Sequence, residues 1–305
     1  MRIKDLFRRK RVEDLFVVGA RRLERLEEEG RYSCYRNTRA TLHKLARYVG
    51  GETLPADSVT PAFVEGFRDF LLQKIGNHPN TTTENLKILS LLLDEAGRTD
   101  NPCKTIRKGR IETQRNYLLE EELERLMALG VKKGSEMEVA RDLFFVECRT
   151  GLRISDLLQL RWQDCADGSI RLRMQKTRQP VTVPMSTSVE QVFARYRGLF
   201  SEPAGFVFPL LAAHSRKTGA FSHARALISA TGSVNHQIWQ LARRAGLEKR
   251  ISTHTGRHTF ATMLISKGAS IYDVKELLGH RDIKMTQVYA HLAERRKQEL
   301  VERLG

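Results

Sequence analysis

Four side chains near the carboxyl-terminal end of the chain have the types and the spacing to act together on a phosphodiester. They are His254, Arg257, His280 and Tyr289, and each lies at a predicted helix end or turn, where side chains converge. A guanidinium forks onto two phosphate oxygens, and an imidazole donates or accepts a proton near neutral pH. A phenol is mostly protonated at that pH, but a cationic pocket stabilises the phenolate, so Tyr289 is a candidate nucleophile.

Two short helices and a third amphipathic turn are the predicted scaffold of these residues. Apolar residues recur at helical spacing after Arg257, and the same pattern resumes after a break at Gly268. The third turn covers residues 283–288 and presents Tyr289 at its end. By itself, Tyr289 could equally be an aromatic side chain on a helix surface.

The motifs around these residues resemble those of the tyrosine recombinase (phage integrase) family. The segment HTGRHTFAT is similar to its H-x-x-R-H-T-F-A-T box, and LLGHRDIKMTQVYAHL is similar to its L-L-G-H…Y box. One position departs from the family pattern. Gly256 lies where the family commonly carries a bulkier residue, and a glycine loosens a helix start by roughly 0.5–1 kcal/mol.

A further arginine motif lies upstream, in the segment GLRISDLLQLRW. It resembles the family's first arginine box, and the resemblance implies that Arg153 is a second phosphate clamp whose geometry Asp156 fixes. From the residues alone, Arg153 and Asp156 form an ordinary surface ion pair. Ser155 is the predicted N-cap of a helix over residues 156–160.

Alternation with a period of two predicts a β-hairpin from Ile170 to Val183. Its turn holds Lys176 where the family places its catalytic lysine, and the resemblance implies that this lysine protonates the leaving oxygen. Read without the family, Lys176 is a solvated lysine on a hairpin. Residues 201–233 are predicted to be rich in loops, and a helix is predicted over residues 234–246.

The amino-terminal part, residues 12–103, predicts four helices near 12–29, 33–49, 61–75 and 80–96, with Asn80 or Thr81 as the N-cap of the fourth. The resemblance implies a helical domain that binds the core DNA site. A protein-interaction module fits the same residues. The candidate DNA contacts on the second helix are Arg36, Arg39, Lys44 and Arg47.

Residues 104–117 contain five basic residues and one acidic residue without apolar periodicity, which predicts an extended, charged linker. Two interpretations fit this composition: a linker that lies along a phosphate backbone, and a plain exposed tether. Its candidate DNA contacts are Lys104, Arg107, Lys108 and Arg110.

The expected domain plan is a tail over residues 1–11, a helical DNA-binding domain over 12–103, the linker, and a catalytic domain over 118–305. The expected fold class is mainly α with a small antiparallel β-sheet in the carboxyl-terminal domain: an N-terminal helical bundle plus a mixed α/β catalytic domain. With a tail this short, we expect no third, arm-binding domain. The segment from Ala293 onward is predicted to be helical, docked on a neighbouring protomer or packed on its own chain.

Composition points to a polyanion as the partner. Lysine plus arginine number 52 against 36 aspartate plus glutamate, giving a net charge of +16, and 305 residues suffice for two domains. No apolar run approaches the ~18 residues of a membrane span, and the amino terminus lacks the pattern of a secretory signal. We expect a soluble protein in the cytoplasm, associated with the nucleoid and not with a membrane.

Neither a metal nor a cofactor is expected. The four cysteines are widely spaced and form no C-x-x-C pair. His254 and His258 are four positions apart, a spacing that can bind zinc, but the glutamate of H-E-x-x-H is missing and Arg257 would repel a cation.

The resemblance implies a site-specific DNA recombinase that cuts and rejoins strands through a 3′-phosphotyrosyl intermediate. Its expected partners are double-stranded DNA with specific recombination sites and copies of the same chain, as a tetramer across two sites, in integration, inversion or resolution. In that reaction His254 assists proton movement at the nucleophile and His280 donates a hydrogen bond to the phosphate. The alternatives are strand relaxation like that of a type IB topoisomerase and a non-catalytic DNA-binding protein.

Overall fold

Helices dominate the structure, and a small three-stranded antiparallel sheet accompanies them, which confirms the predicted fold class. The computed structural model describes residues 13–105, 109, 111, 116–198, 205–211, 219–290 and 302. The predicted tail over residues 1–11, the candidate contacts Arg107, Lys108 and Arg110, and the segment from Ala293 to 301 lie outside the described residues.

The chain divides into two units, residues 1–113 with 218–225 and residues 114–217 with 226–305. Within the described ranges, no helix combines the length and the apolar composition that a bilayer crossing needs.

Within residues 13–105 of the first unit, four α-helices pack around a leucine-rich core that includes Phe67. The helices are α1 (Leu15–Glu28), α2 (Tyr32–Val49), α3 (Pro61–Asp69), which continues as a π turn at Phe70–Lys74, and α4 (Pro79–Glu95). The N-cap predicted for α4 is wrong. His78 caps this helix, its ring nitrogen accepting the Asn80 N–H at 3.2 Å, because Pro79 occupies the first helical position, where no N–H donor is needed.

The prediction of a loop-rich stretch over residues 201–233 is wrong from Ala220 onward. Helix α9 (Ala220–Arg244) occupies that part of the chain. Residues 218–225 belong to the first unit, where the Phe221 ring packs edge-on against Tyr32 and Tyr35 at centroid distances of 5.2 Å and 5.1 Å. Packing between distant segments therefore stabilises the start of a helix that the sequence pattern did not predict.

The second unit combines helices with the sheet. Its other helices are α5 (Glu120–Met127), α6 (Glu136–Thr150), α7 (Ile154–Leu157), α8 (Thr187–Tyr196), α10 (Thr253–Ser266) and α11 (Ile271–Leu277). The strands are β1 (Cys165–Ala166), β2 (Ser169–Arg173) and β3 (Pro180–Pro184), in that order. Ile170 lies opposite Val183 and both face the core, so the alternation that predicted the hairpin is the burial pattern of its strands.

One local prediction in the second unit, the N-cap Ser155, is wrong, and another, the turn before Tyr289, is refined. Ser155 lies inside α7, and the residue that precedes this helix in the extended conformation is Arg153. The amphipathic turn predicted over residues 283–288 is a pair of 3₁₀ turns, Ile283–Met285 and Gln287–Tyr289. These tight turns bring Tyr289 back onto α10, where it packs against Phe260 in a small separate core.

Candidate active site

Arg257 lies at the centre of the site and joins two distant turns. The residue is 8% exposed, and its guanidinium donates one hydrogen bond to the carbonyl oxygen of Gly151 at 2.5 Å and another to the carbonyl oxygen of Leu278. Gly151 follows α6 and Leu278 follows α11. The arginine therefore fixes the ends of both helices around α10, which carries it.

The turn at Gly151 depends on glycine. Its φ is +65°, and a Cβ there would lie 2.3 Å from the ring of Phe260. Only glycine adopts this left-handed conformation readily and also lets the ring approach so closely. The turn ends α6 and directs the chain to Arg153, so the first arginine motif is anchored on α10 by packing as well as by the bond from Arg257.

Asp156 connects the first arginine motif with the hairpin. Its Oδ1 accepts the backbone N–H of Gln175 at 2.9 Å, next to Lys176. Burial raises the pKa of this carboxyl, while the Gln175 N–H and the charge of Arg153 oppose the rise. Arg153 is half-buried, burial lowers its pKa, and its Nη1 lies 3.0 Å from the sulfur of Met174. Asp156 thus positions the turn that holds the lysine as well as influencing Arg153.

Lys176 is exposed in the turn between β2 and β3. The turn is closed by a hydrogen bond from the N–H of Arg178 to the carbonyl of Met174 at 2.9 Å, and Arg281 donates to the carbonyl of Thr177. His254 keeps part of its surface open to solvent. Burial of the imidazole makes the largest contribution to a lowered pKa of His254, and the charges of Lys176, Arg257 and Arg153 lower this pKa further.

His280 and Tyr289 are linked through Thr286. The Nδ1 atom of His280 lies 2.9 Å from the Thr286 hydroxyl, and the N–H of Tyr289 donates to the Thr286 carbonyl at 3.0 Å. Thr286 is fully buried and Tyr289 is 5% exposed. The imidazole of His280 and the backbone of Tyr289 are therefore both bonded to Thr286.

The hydroxyl of Tyr289 is hydrogen-bonded to Nδ1 of His258. The sequence drew attention to His258 only through its zinc-like spacing from His254, and among the described residues no group of three or more metal-binding side chains could hold a metal ion. Burial and then Arg153 lower the pKa of Arg257 to about 10, whereas Tyr289, Glu147 and Asp156 act to raise it. The hydrogen bond to His258 places the phenol oxygen beside the residue that directly follows the central arginine.

Glu147 is a buried acid beside the site that the motifs did not reveal. It lies on α6, is 1% exposed, and its Oε2 would lie 2.8 Å from a Cβ placed on Gly256. Its side chain therefore fills the space left by the glycine at the position where the family commonly has a bulkier residue. Burial raises the pKa of Glu147 well above its usual range, although Arg257 and the Ile154 N–H oppose this. Within the described residues its Oε2 has no hydrogen-bond partner.

The candidate DNA contacts of the first unit differ in their surroundings. Arg36, Arg39 and Arg47 are exposed on α2. Lys44 is half-buried, its ammonium lies 3.2 Å from the side-chain oxygen of Asn85, and burial lowers its pKa. Lys104 forms an ion pair with Asp94 at 2.7 Å. The three arginines are thus the ones whose charge is most open to a ligand.

Residues 116–296 match the phage integrase family, and residues 14–106 match the phage integrase SAM-like domain. The chain belongs to the phage integrase family of tyrosine recombinases. A tyrosine recombinase of Thermosipho africanus is 30% identical over 239 residues, which cover 75% of this chain and 78% of that protein. The resemblance identified from the sequence motifs is therefore confirmed.

Two solved structures of integrases share the fold of this family member. The Tn1549 transposon integrase in complex with transposon right end DNA has a TM-score of 0.65 at 20% identity, covering 96% of this chain and 99% of that chain. The lambda integrase tetramer bound to a Holliday junction has a TM-score of 0.64 at 16% identity, covering 92% and 81% respectively. At these identities the likeness concerns the architecture of the chain.

Proposed function

We propose that the protein is a site-specific DNA recombinase that cuts and rejoins strands through a bond between Tyr289 and a 3′-phosphate. The observation that carries this proposal is the hydrogen bond between the Tyr289 hydroxyl and His258, the residue next to the buried Arg257, in a chain of the tyrosine recombinase family. Such an arrangement suits phosphoryl transfer, because a buried guanidinium stabilises the charge that develops on the phosphate oxygens.

In the proposed reaction the phenol oxygen of Tyr289 attacks phosphorus, the bond to the 5′-oxygen breaks, and a 5′-hydroxyl is released. Arg153 and Arg257 stabilise the charge on the non-bridging oxygens, and His280 donates a hydrogen bond to the same phosphate. Lys176 gives its proton to the departing 5′-oxygen, and His254 assists proton movement. The energy of the cleaved bond is kept in the phosphotyrosyl ester, so rejoining needs no nucleotide cofactor.

The proposed partners are double-stranded DNA carrying specific sites and further copies of this chain. The lambda integrase structure is a tetramer bound to a Holliday junction, and we propose the same kind of tetramer across two sites here. The net charge of +16 favours binding to the phosphate backbone in both units. The proposed location is the cytoplasm, with the nucleoid.

Capture of covalent protein–DNA adducts tests the proposal. The purified protein is incubated with a library of double-stranded genomic fragments, and DNA that stays attached under denaturing conditions is recovered and sequenced at the point of attachment. We expect the wild type to mark defined sites, and Tyr289→Phe to bind the same DNA without forming adducts, because only the attacking oxygen is removed. Adducts formed by Tyr289→Phe at the wild-type rate would mean that another residue is the nucleophile.

The captured sites then separate the remaining possibilities. Two duplexes that carry such a site should exchange strands, as a recombinase requires. Relaxation of a supercoiled plasmid without exchange would indicate a type IB topoisomerase-like activity. DNA binding without any adduct from the wild type would indicate a non-catalytic DNA-binding protein.

A further inference from the structure

The contact between His258 and Tyr289 joins an imidazole nitrogen to the atom that is proposed to attack phosphorus. Nδ1 of His258 faces the Tyr289 hydroxyl. The ring centroids are 5.8 Å apart and the ring planes are tilted by 59°, so the rings meet through this hydrogen bond and not by stacking. His258 directly follows Arg257 on α10, on the side of the helix that receives the 3₁₀ turns.

The phenol has little freedom to leave this partner. Tyr289 is 5% exposed and packs in a small core with Phe260 and Leu278. The N–H of Tyr289 is bonded to Thr286, a residue that also holds His280. A buried phenol needs a hydrogen-bond partner for its hydroxyl, and His258 supplies one inside the site.

Attack by a phenol also needs an acceptor for its proton. The oxygen cannot form the bond to phosphorus and keep its hydrogen, and the arginines of the site are proton donors that stay charged. Imidazole is the side chain that takes up and releases a proton near neutral pH. A base must lie within hydrogen-bond reach of the proton that it removes, and His258 meets this requirement before any substrate is bound.

We infer that His258 is a catalytic residue that accepts the proton of Tyr289 on Nδ1 as the phenol oxygen attacks phosphorus. This inference rests on the proposed function. As the bond from phosphorus to Tyr289 forms and the bond to the 5′-oxygen breaks, the phenol proton moves to His258, and a proton from Lys176 moves to the 5′-oxygen. Rejoining reverses both transfers, so each group returns to its initial protonation state after a full cycle.

His258→Asn provides the test, because the asparagine amide replaces Nδ1 as a hydrogen-bonding group but is not a base. The substrate is a captured site with a nick beside the cleaved phosphate, so that the released fragment diffuses away and a single turnover is followed as adduct formation. We expect a fall of about 10²- to 10⁴-fold in the rate for His258→Asn. His236→Asn, at an exposed histidine on α9, is the matched control and should react like the wild type.

Two chemical substitutions locate the defect at the attacking oxygen. A substrate with sulfur at the 5′-bridging position has a better leaving group, but this does not help the attacking oxygen. The ratio of the wild-type rate to the His258→Asn rate should therefore be the same on this substrate as on ordinary DNA. A fluorinated tyrosine in place of Tyr289 has a more acidic phenol that depends less on a base, so it should reduce the loss caused by His258→Asn.

The outcomes separate this inference from the proposed function. If the wild type forms adducts at Tyr289 and His258→Asn cleaves at the wild-type rate, the inference is overturned while the recombinase proposal stands. If only His254→Asn forms adducts slowly, and the fluorinated tyrosine restores its rate, the base is His254 instead. If the wild type forms no adducts with genomic DNA, the proposed function itself fails. Unchanged DNA affinity and unfolding temperature of His258→Asn exclude a folding defect as the cause of a slow rate.

Discussion

Arg257 lies in surroundings that are more positively charged and less hydrated than those of most arginines. Burial and the neighbouring Arg153 lower its pKa to about 10, and three acidic or phenolic groups only partly offset this effect. A phosphate that enters between the two guanidinium groups would remove their mutual repulsion. Binding of an anion at this site is therefore favoured, because its negative charge offsets the repulsion between the two guanidinium groups.

We predict that the role of Lys176 can be separated from that of Arg257 by the leaving group. Lys176→Ala should cleave ordinary DNA about 10²- to 10⁴-fold more slowly, because the 5′-oxygen leaves unprotonated. The rate should approach that of the wild type on a substrate with sulfur at the 5′-bridging position, since a thiolate is a far weaker base. Single-turnover cleavage of both substrates measures this.

Arg257→Ala is the comparison for that experiment. It removes stabilisation of the non-bridging oxygens, which the sulfur substrate cannot replace, so its rate should stay low on both substrates. If Lys176→Ala is equally slow on both, this lysine only binds DNA, and His254 would be the next acid to test.

At the scale of single residues, the sequence located the groups that short motifs contain but not those that meet by folding. Glu147 stands out among the apolar neighbours of α6, and Gly256 is a visible departure from the family pattern, yet nothing local connects the two positions. The contact of His258 with Tyr289 depends on how two 3₁₀ turns fold back onto α10. Such contacts are long-range, and periodicity carries no information about them.

At the scale of elements, the packing of α6 against α10 depends on the absence of a Cβ atom at Gly256. Glu147 fills the space beside Gly256, where a Cβ would lie 2.8 Å from Oε2 and 3.1 Å from Cγ. Alanine gains up to about 1 kcal/mol over glycine in a helix, but overpacking a core costs about 1–3 kcal/mol. The steric cost is the larger of the two effects here.

We therefore predict that Gly256→Ala lowers the free energy of unfolding in the wild-type background. In a chain that already carries Glu147→Ala, the same change should raise this free energy by up to about 1 kcal/mol, because the obstacle is gone. Gly232→Ala is the matched control, since this glycine lies in α9 with no atom within 4 Å of a new Cβ, and it should stabilise in both backgrounds. Urea unfolding of the six chains measures these effects, and equal effects of Gly256→Ala in both backgrounds would contradict the coupling.

The elements that the sequence predicted well are those with their own periodicity. The helices of the first unit begin and end within a few residues of the expected positions, and the hairpin is where alternation predicts it. Helix α9 was missed at its start because glycine and hydroxyl-bearing residues lower the local helix propensity, while Phe221 packs against rings that are far away in sequence. Strand β1, with two residues, is too short to show alternation.

At the scale of the whole molecule, the net charge of +16 is the property that bears most directly on DNA affinity. Charge that is already paired contributes less than charge that is free to displace counterions. Arg36, Arg39 and Arg47 are exposed on α2, and their spacing of three and eleven residues puts them on one side of this helix. They are the candidates to neutralise phosphates in the first unit.

We predict that replacing these three arginines by alanine flattens the salt dependence of DNA binding. Each lost phosphate contact should reduce the slope of log affinity against log salt by about 0.9. The matched control replaces three cations of the same unit that lie in ion pairs, Arg25, Arg68 and Lys87, and so removes the same net charge. Affinity measured over a range of salt concentrations gives both slopes, and the same slope for the two triple variants would argue against α2 as a contact surface.

The pairing of Gly256 with Glu147 makes these two positions interdependent when residues are exchanged between relatives. A side chain larger than glycine at position 256 would meet Glu147, whose Oε2 and Cγ atoms would lie 2.8 Å and 3.1 Å from a new Cβ. A smaller residue at position 147 would open the space that such a side chain needs. Grafting a bulkier residue onto position 256 alone should therefore destabilise the chain, whereas exchanging both positions together should be tolerated.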